Sequence, residues 1–503
     1  MRLEAPEVSQ MLVLRDRVES SGGRFVPAWS VWSLALSLFV FTNAIAQPVQ
    51  LEDVVRAVVT DSPLISLEDA RVRRAQGELQ QAQGSLDWTA TAESGWQRLY
   101  VVEARDGFLT DNLQDIDAWR TSIGISRQFR NGITIQPGVS FYIDANVNPA
   151  QSMGLTQTLP SLNLTIPLLR GYGADSPIAT AERAARLGVE ASQHGREYGT
   201  QRAVSSAVLV YWRCLALRHQ FEVAENDHQE AQEFVQAIRG FVEQGQGEPL
   251  ALDRASAGLA VQNVTLARSR AADEACRREL DVAMNGDGIG ELPLPVGDFP
   301  KIDENAATRL NGNLLAENAL MRREDIRALS LQSAAHAERV RGAKDGMQPE
   351  LNVLVDPRGV LLRLSQSLGR NTQQGQLSAA LAGEGEARIN LRQLENQVRL
   401  EVSENVRGVH DAISNWKALN ESAAAMKIVA GDAERRYDAG VLTRQEYRDV
   451  QGEYALVQTQ LVQTQFQYAS NLAALHLALG NVDADENVPV EVITAQFRSL
   501  PQF

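Results

Sequence analysis

The sequence predicts a mainly α-helical fold with a β-barrel part, arranged as a two-fold internal repeat. Three observations carry that expectation. The 503 residues hold only 6% aromatics, while Ala, Gln, Glu, Leu and Arg fill long stretches, the composition of long helices. Two regions switch to strand-like alternation of polar and apolar residues. Finally, residues 64–86 (LISLEDARVRRAQGELQQAQGSL) return as residues 326–348 (IRALSLQSAAHAERVRGAKDGMQ), with matching small-residue spacing and Gly84 answered by Gly346.

Taken in order, residues 1–46 read as a signal peptide. Trp29 to Phe41 is an apolar run, and Ala44-Ile45-Ala46 before Gln47 supplies small residues for cleavage between Ala46 and Gln47. A membrane anchor is the rival reading, but a spanning helix needs about 20 apolar residues. A start at Met11 would leave Arg15, Arg17 and Arg24 against Asp16 and Glu19. No Cys follows the cleavage point, so no lipid-attachment site is expected.

The first repeat is expected over 47–284, as a helix, strands at about 88–169 and a long helical hairpin at 174–284. Residues 285–303 (NGDGIGELPLPVGDFPKID) form a Gly- and Pro-rich linker; its GDGIGE lacks the preceding strand and the Lys-Ser/Thr of a phosphate loop. The second repeat covers 304–480, with a short strand hairpin at 350–367 and a helical hairpin at 376–480, and 481–503 is a C-terminal tail. A helix over 174–242 would reach about 100 Å at 1.5 Å per residue. In the last helix, Tyr454, Val457, Leu461, Tyr468, Leu472, Leu475 and Leu479 make a coiled-coil seam. Beside it runs an uncharged stripe, Gln458 to Gln460 and Gln463 to Gln465, either a solvated face or the wall of a water-filled lumen.

The strands decide the architecture. Residues 118–144 alternate around a turn at Arg130-Asn131-Gly132; 96–103 and 161–169 add further strands, and LNVLVDPRGVLLRL turns at Asp356 to Gly359. Such alternation in an exported chain is the signature of an outer-membrane barrel. Four to six strands cannot close a barrel alone, and open edges are not tolerated in lipid. Several copies are therefore expected to share one barrel.

With these features in this order, the chain from Leu51 to Gly480 resembles the TolC family of outer-membrane efflux proteins. The residues that carry the resemblance are the two helix–strand–helix halves, LNLTIPLLRGYG leading into the first long helix, the tip RYDAGVLTRQEYRDV and the terminal LAALHLALG. The resemblance implies a TolC-like homotrimer in which a shared outer-membrane β-barrel continues into a helical tunnel across the periplasm of a Gram-negative bacterium. It implies a passive exit duct for efflux or type I secretion, partnered by a periplasmic adaptor and an inner-membrane transporter, with no cofactor.

In that picture the hairpin tips form a periplasmic gate. Tyr437 stands three residues before Gly440, and Glu446 and Asp449 stand six and nine after it; with Arg444 and Arg448 they make the candidate gate. A basic residue expected at 442 is Leu442, with Arg444 as substitute. In the first hairpin Asp253 joins the set if Gly247 is the reference. Gly245, Gly247, Gly440, Val441 and Leu442 are candidate adaptor-contact tips. The residues themselves support a turn: Gly440 can end a helix in the left-handed conformation, and Thr443 with Glu446 matches a capping box. Glu446 is therefore either a cap or part of an acidic ring that favours cations.

Cys214 and Cys276 are centred on the Gly245-Gln246-Gly247 turn, so an antiparallel hairpin brings both to one height. They form either a disulfide or two buried thiols on different seams. The six His residues show no metal-ligand spacing, and no catalytic constellation stands out, so an enzyme is not expected. The net charge of −15 argues against nucleic acid as a partner. The competing reading is a periplasmic coiled-coil adaptor or scaffold without a channel.

Overall fold

A computed structural model describes residues 48–501 apart from 106–107, 145–156, 247, 306–308 and 485–486. The signal peptide expected over 1–46, the cleavage point expected at Ala46 and Gln47, and Gly247 lie outside the described residues.

The chain begins with a two-residue strand β1 (Pro48–Val49) and helices α1 (Leu51–Asp61) and α2 (Pro63–Gly84). Four strands follow: β2 (Thr89–Arg105), β3 (Phe108–Gln128), β4 (Thr134–Asp144) and β5 (Gln157–Pro167). They lead into a helical hairpin of α3 (Pro177–Glu243) and α4 (Pro249–Ala283). After the short β6 (Leu294–Pro295) the pattern returns: α5 (Gly312–Arg322), α6 (Glu324–Asp345), β7 (Glu350–Asp356), β8 (Gly359–Ser365), then α7 (Asn371–Asp438) and α8 (Arg444–Ala478). Helix lengths of 11, 22, 67 and 35 residues in the first series stand beside 11, 22, 68 and 35 in the second. The first long helix starts at Pro177, three residues later than expected, because Ser176 caps it and accepts the Ala179 N–H. The C-terminal stretch is more than a tail, since α9 (Val490–Arg498) folds back onto α1.

Six strands make one antiparallel sheet in the order β2-β3-β4-β5-β7-β8. The register sorts its side chains by polarity. One face carries Ala90, Ala92 and Trp96 on β2, Trp119, Ile123 and Ile125 on β3, and Ile135, Val139 and Phe141 on β4. It continues with Leu162, Leu164 and Ile166 on β5, Leu351, Val353 and Val355 on β7, and Val360, Leu362 and Leu364 on β8. Of the polar residues on this face, which include Arg127 and Thr158, Ser94 and Thr121 bond to each other at 2.9 Å, and the Trp119 indole donates to Ser94. The opposite face bears Thr91, Glu93, Arg120, Ser122, Gln136, Ser140, Asn163, Asn352 and Arg363, with Leu159, Leu354 and Leu361 among its apolar exceptions. Many of these apolar side chains are exposed in the single chain, with Leu162 52% accessible, Leu362 62% and Leu364 68%, while others such as Ile135, Leu164 and Val353 are half-buried. At the helix end of the sheet, Gly132 sits at φ +89°, where a Cβ would strike the Gly171 carbonyl oxygen, so the β3–β4 turn requires glycine.

The core lies where the short helices wrap the long ones. Leu51, Val54 and Val58 of α1 meet Val204, Tyr211 and Trp212 of α3, Leu280 of α4, and Ile493 and Phe497 of α9. Trp212 packs edge-on against Phe497 with ring centroids 6.5 Å apart. A second core joins Leu315 and Ala319 of α5 to Val398, Val402 and Val409 of α7 and Leu472 and Leu475 of α8. Fully burying each such aliphatic side chain contributes about 1.5–3 kcal/mol. Cys214 and Cys276, both buried, are joined by a disulfide between α3 and α4 with Cα atoms 5.4 Å apart.

Among the described residues no helix is long and apolar enough to cross a membrane. The uncharged stripe on α8 is not one continuous wall. Thr464 is buried, and Gln463 accepts a hydrogen bond from Gln220 of α3 at 3.2 Å.

Candidate gate at the helical hairpin tips

Both hairpins turn by the same backbone scheme. In the second tip the N–H of Ala439 reaches Arg435, that of Gly440 reaches Tyr437 and that of Val441 reaches Arg436. In the first, Gln244, Gly245 and Gln246 bond to Gly240, Val242 and Phe241 with the same offsets. Gly440 and Gly245 both sit at φ +72°, in the left-handed conformation that ends a helix. Each following helix begins four residues after its glycine, at Arg444 and at Pro249.

This corrects the register expected for the first tip. Among the described residues of this tip the left-handed one is Gly245, and on the shared backbone scheme Asp253, eight residues on, takes the place of Arg448 rather than Glu446, and Ala251 takes the place of Glu446. Asp253 is exposed on α4. The two tips share backbone geometry and differ in side-chain chemistry.

The second tip carries the capping box. The Thr443 backbone N–H and hydroxyl both donate to the Glu446 carboxylate, at 2.8 and 2.7 Å, and the Glu446 N–H donates back to the Thr443 hydroxyl. The Thr443 backbone bond, followed by its side-chain bond, holds the Glu446 carboxyl below its usual range. Asp449, exposed like Glu446, accepts from Gln445 at 2.8 Å. Tyr437 stacks on Tyr447 with centroids 5.0 Å apart, a contact across the turn that fixes the angle of α8 against α7. Val441 is 70% exposed at the apex and Leu442 is half-buried.

The other gate residues reach the first hairpin. The Arg448 guanidinium lies 5.0 Å from the centre of the Phe234 ring on α3, and Arg444 approaches Glu233 at 3.9 Å. Between the hairpins runs a groove of about 950 Å³ bordered by Asp227, Glu230, Asp449, Glu453, Arg254 and Arg448. Burial pushes the Asp227 and Glu230 carboxyls up, with the nearby Arg448 charge opposing the shift. These two acids were not evident from sequence: they lie mid-helix, and only the packing of α3 beside α8 gives them a role.

One further polar group joins elements higher up. His194 on α3 lies 2.6 Å from Glu324 at the start of α6, whose second carboxylate oxygen binds Arg327 at 2.7 Å. Beside it, fully buried Arg323 donates to Asp325, Glu401 and the Tyr198 hydroxyl, joining α3, α6 and α7.

With this geometry in view, the fold has known counterparts. The chain superimposes on the outer-membrane channel CmeC of Campylobacter jejuni with a TM-score of 0.64 at 13% identity, covering 90% of each chain. The outer membrane protein VceC of Vibrio cholerae matches at 0.60 and 16% identity, over 86% of this chain and 96% of its own. The open state of the MtrE outer membrane channel of Neisseria gonorrhoeae matches at 0.61 and 14%, over 87% and 91%. No family model matches the sequence, and no curated protein matches it. The chain thus shares the fold of these TolC-like channel structures, with long paired helices joined to one antiparallel sheet.

Proposed function

We propose that the chain is an outer-membrane exit duct of a Gram-negative bacterium, passive and without catalysis. As a homotrimer it would share one barrel and one helical tunnel, joined to a periplasmic adaptor and an inner-membrane transporter in an efflux or type I secretion system. The carrying observation is the six-stranded sheet with a continuous exposed apolar face and a polar reverse. Lipid on one side and a water-filled pore on the other account for that sorting. A periplasmic adaptor has no use for such a face.

At the far end, three copies of Glu446 and Asp449 would ring the axis and favour cations. Gly440, Val441 and Gly245 at the apices, with Leu442 tucked behind, would meet the adaptor. Opening would separate the hairpins and break the Arg448–Phe234 and Arg444–Glu233 contacts. Fractionation tests the reading: recovery in the outer membrane as a trimer that dissociates on heating is expected, and a soluble monomer refutes it. For the gate, neutralising Glu446 and Asp449 together should lower cation selectivity in planar bilayers. Unchanged selectivity removes the acidic ring.

A further inference from the structure

The sheet ends in two strands, β2 and β8, whose outer edges have no partner among the described residues. Unpaired N–H and C=O groups on a sheet with a lipid-type face must be closed. On the polar face β2 carries Glu93 and β8 carries Arg363, both exposed, and neither has an ion-pair partner among the described residues. At this level of the sheet the two edges thus offer single charges of opposite sign. The strands also run in the directions needed, β2 away from the helices and β8 towards them, so their junction would be antiparallel like every other pair in the sheet.

The register between copies follows from closure. The line across the sheet through Arg127, Ile135, Leu164, Val355 and Val360 returns to β2 one residue before Thr89, because Thr89 pairs with Ser126. Six strands about 4.8 Å apart, tilted by about 35–45° as in closed barrels, stagger successive copies by about six to eight residues at 3.3 Å each. Side-chain alternation allows only even staggers. A stagger of six sets Val360 opposite Ser94 and Arg363 opposite Thr91. A stagger of eight sets Val360 opposite Trp96 and Arg363 opposite Glu93. The opposite sense would set β8 against α2, with no strand to pair.

We infer that β8 of one copy pairs with β2 of the next, with Arg363 beside Glu93 on the pore side of the seam, directly or diagonally across. Resting on the trimeric channel reading above, this gives a barrel of eighteen strands, six from each copy. Barrel diameter grows roughly linearly with strand number, so the pore wall is about half again as wide as that of a barrel with four strands from each copy.

The seam is tested by cysteine pairs in the full-length protein in cells, Arg363→Cys with Glu93→Cys and Arg363→Cys with Thr91→Cys, treated with a short bis-thiol crosslinker. A ladder of covalent dimer and trimer is expected for at least one pair, and none for Arg363→Cys alone. A charge exchange adds a second readout: E93R and R363E should each lower the temperature at which the unboiled trimer dissociates in detergent, and the double exchange should restore it. If a heat-sensitive outer-membrane trimer forms but neither pair crosslinks, the seam is wrong and the channel reading stands. Should the chain prove a soluble monomer, both fall.

Discussion

Arg323 offers the most direct test of what holds the long helices in place. Its side chain is 2% exposed and donates two hydrogen bonds to Asp325, at 2.7 and 3.0 Å, one to Glu401 at 2.8 Å and one to the Tyr198 hydroxyl at 3.0 Å. Replacing it by methionine keeps much of the volume and strands the carboxylate of Asp325, itself only 15% exposed. Breaking one side of a buried pair in this way costs about 3–5 kcal/mol. Glu401 is 35% exposed, so solvent screens its share, and Glu401→Gln should cost less than about 1 kcal/mol. The assay is thermal and denaturant unfolding of the detergent-solubilised protein by circular dichroism, with both variants measured beside the parent. A result for Arg323→Met within about 1 kcal/mol of the parent would refute the argument. Equal losses from the two variants would refute it as well, because the burial difference is what separates them.

Three other outcomes follow from the same structure. The Cys214–Cys276 bond closes a separation of 62 residues, worth about 4 kcal/mol on the loop-entropy scale; the double Ser variant should unfold earlier, and unreduced, denatured protein should show no free thiols. Burial holds the His476 imidazole below its ordinary value of 6.5, so its contribution to stability is full above that pH and is lost as pH falls towards the lowered folded value. Thermal unfolding scanned from pH 7.5 to about pH 5 should therefore show a loss in the parent that His476→Gln reduces. At the second tip, Thr443→Ala removes the hydroxyl half of the capping box and leaves the backbone half, and amide exchange at the start of α8 should quicken while that at the start of α4 stays the same.

Much of this fold was legible because its signals are local. The spacing of three or four residues along α8 persists for many turns, polar–apolar alternation marked β3 and β4, and the turn at Asp356 to Gly359 marked β7 and β8. The choice between Gly245 and Gly247 was not legible, since either glycine tolerates a left-handed backbone. What decides is where the carbonyls of Phe241 and Val242 fall at the end of α3, and that depends on the packing of the whole hairpin. The C-terminal helix did leave a signal, with Val490, Ile493 and Phe497 spaced for one face, but nine residues are too few to announce themselves. The partners of Arg448 and Arg444 were hidden for a different reason. Phe234 and Glu233 lie more than 200 positions away in sequence, and only antiparallel packing of α3 beside α8 brings them near.

The meeting of α1 with α9 has a consequence for how the protein is made. Leu51, Val54 and Val58 find their partners Ile493 and Phe497 at the opposite end of the chain, with Arg498 held to Glu52 at 3.3 Å. As the chain is made from its N-terminus, α1 therefore waits, apolar face uncovered, until α9 has followed. A chain cut short before α9 keeps every strand and both hairpins yet leaves Trp212 and α1 open to water, a mark by which quality-control proteases can tell an unfinished chain from a finished one.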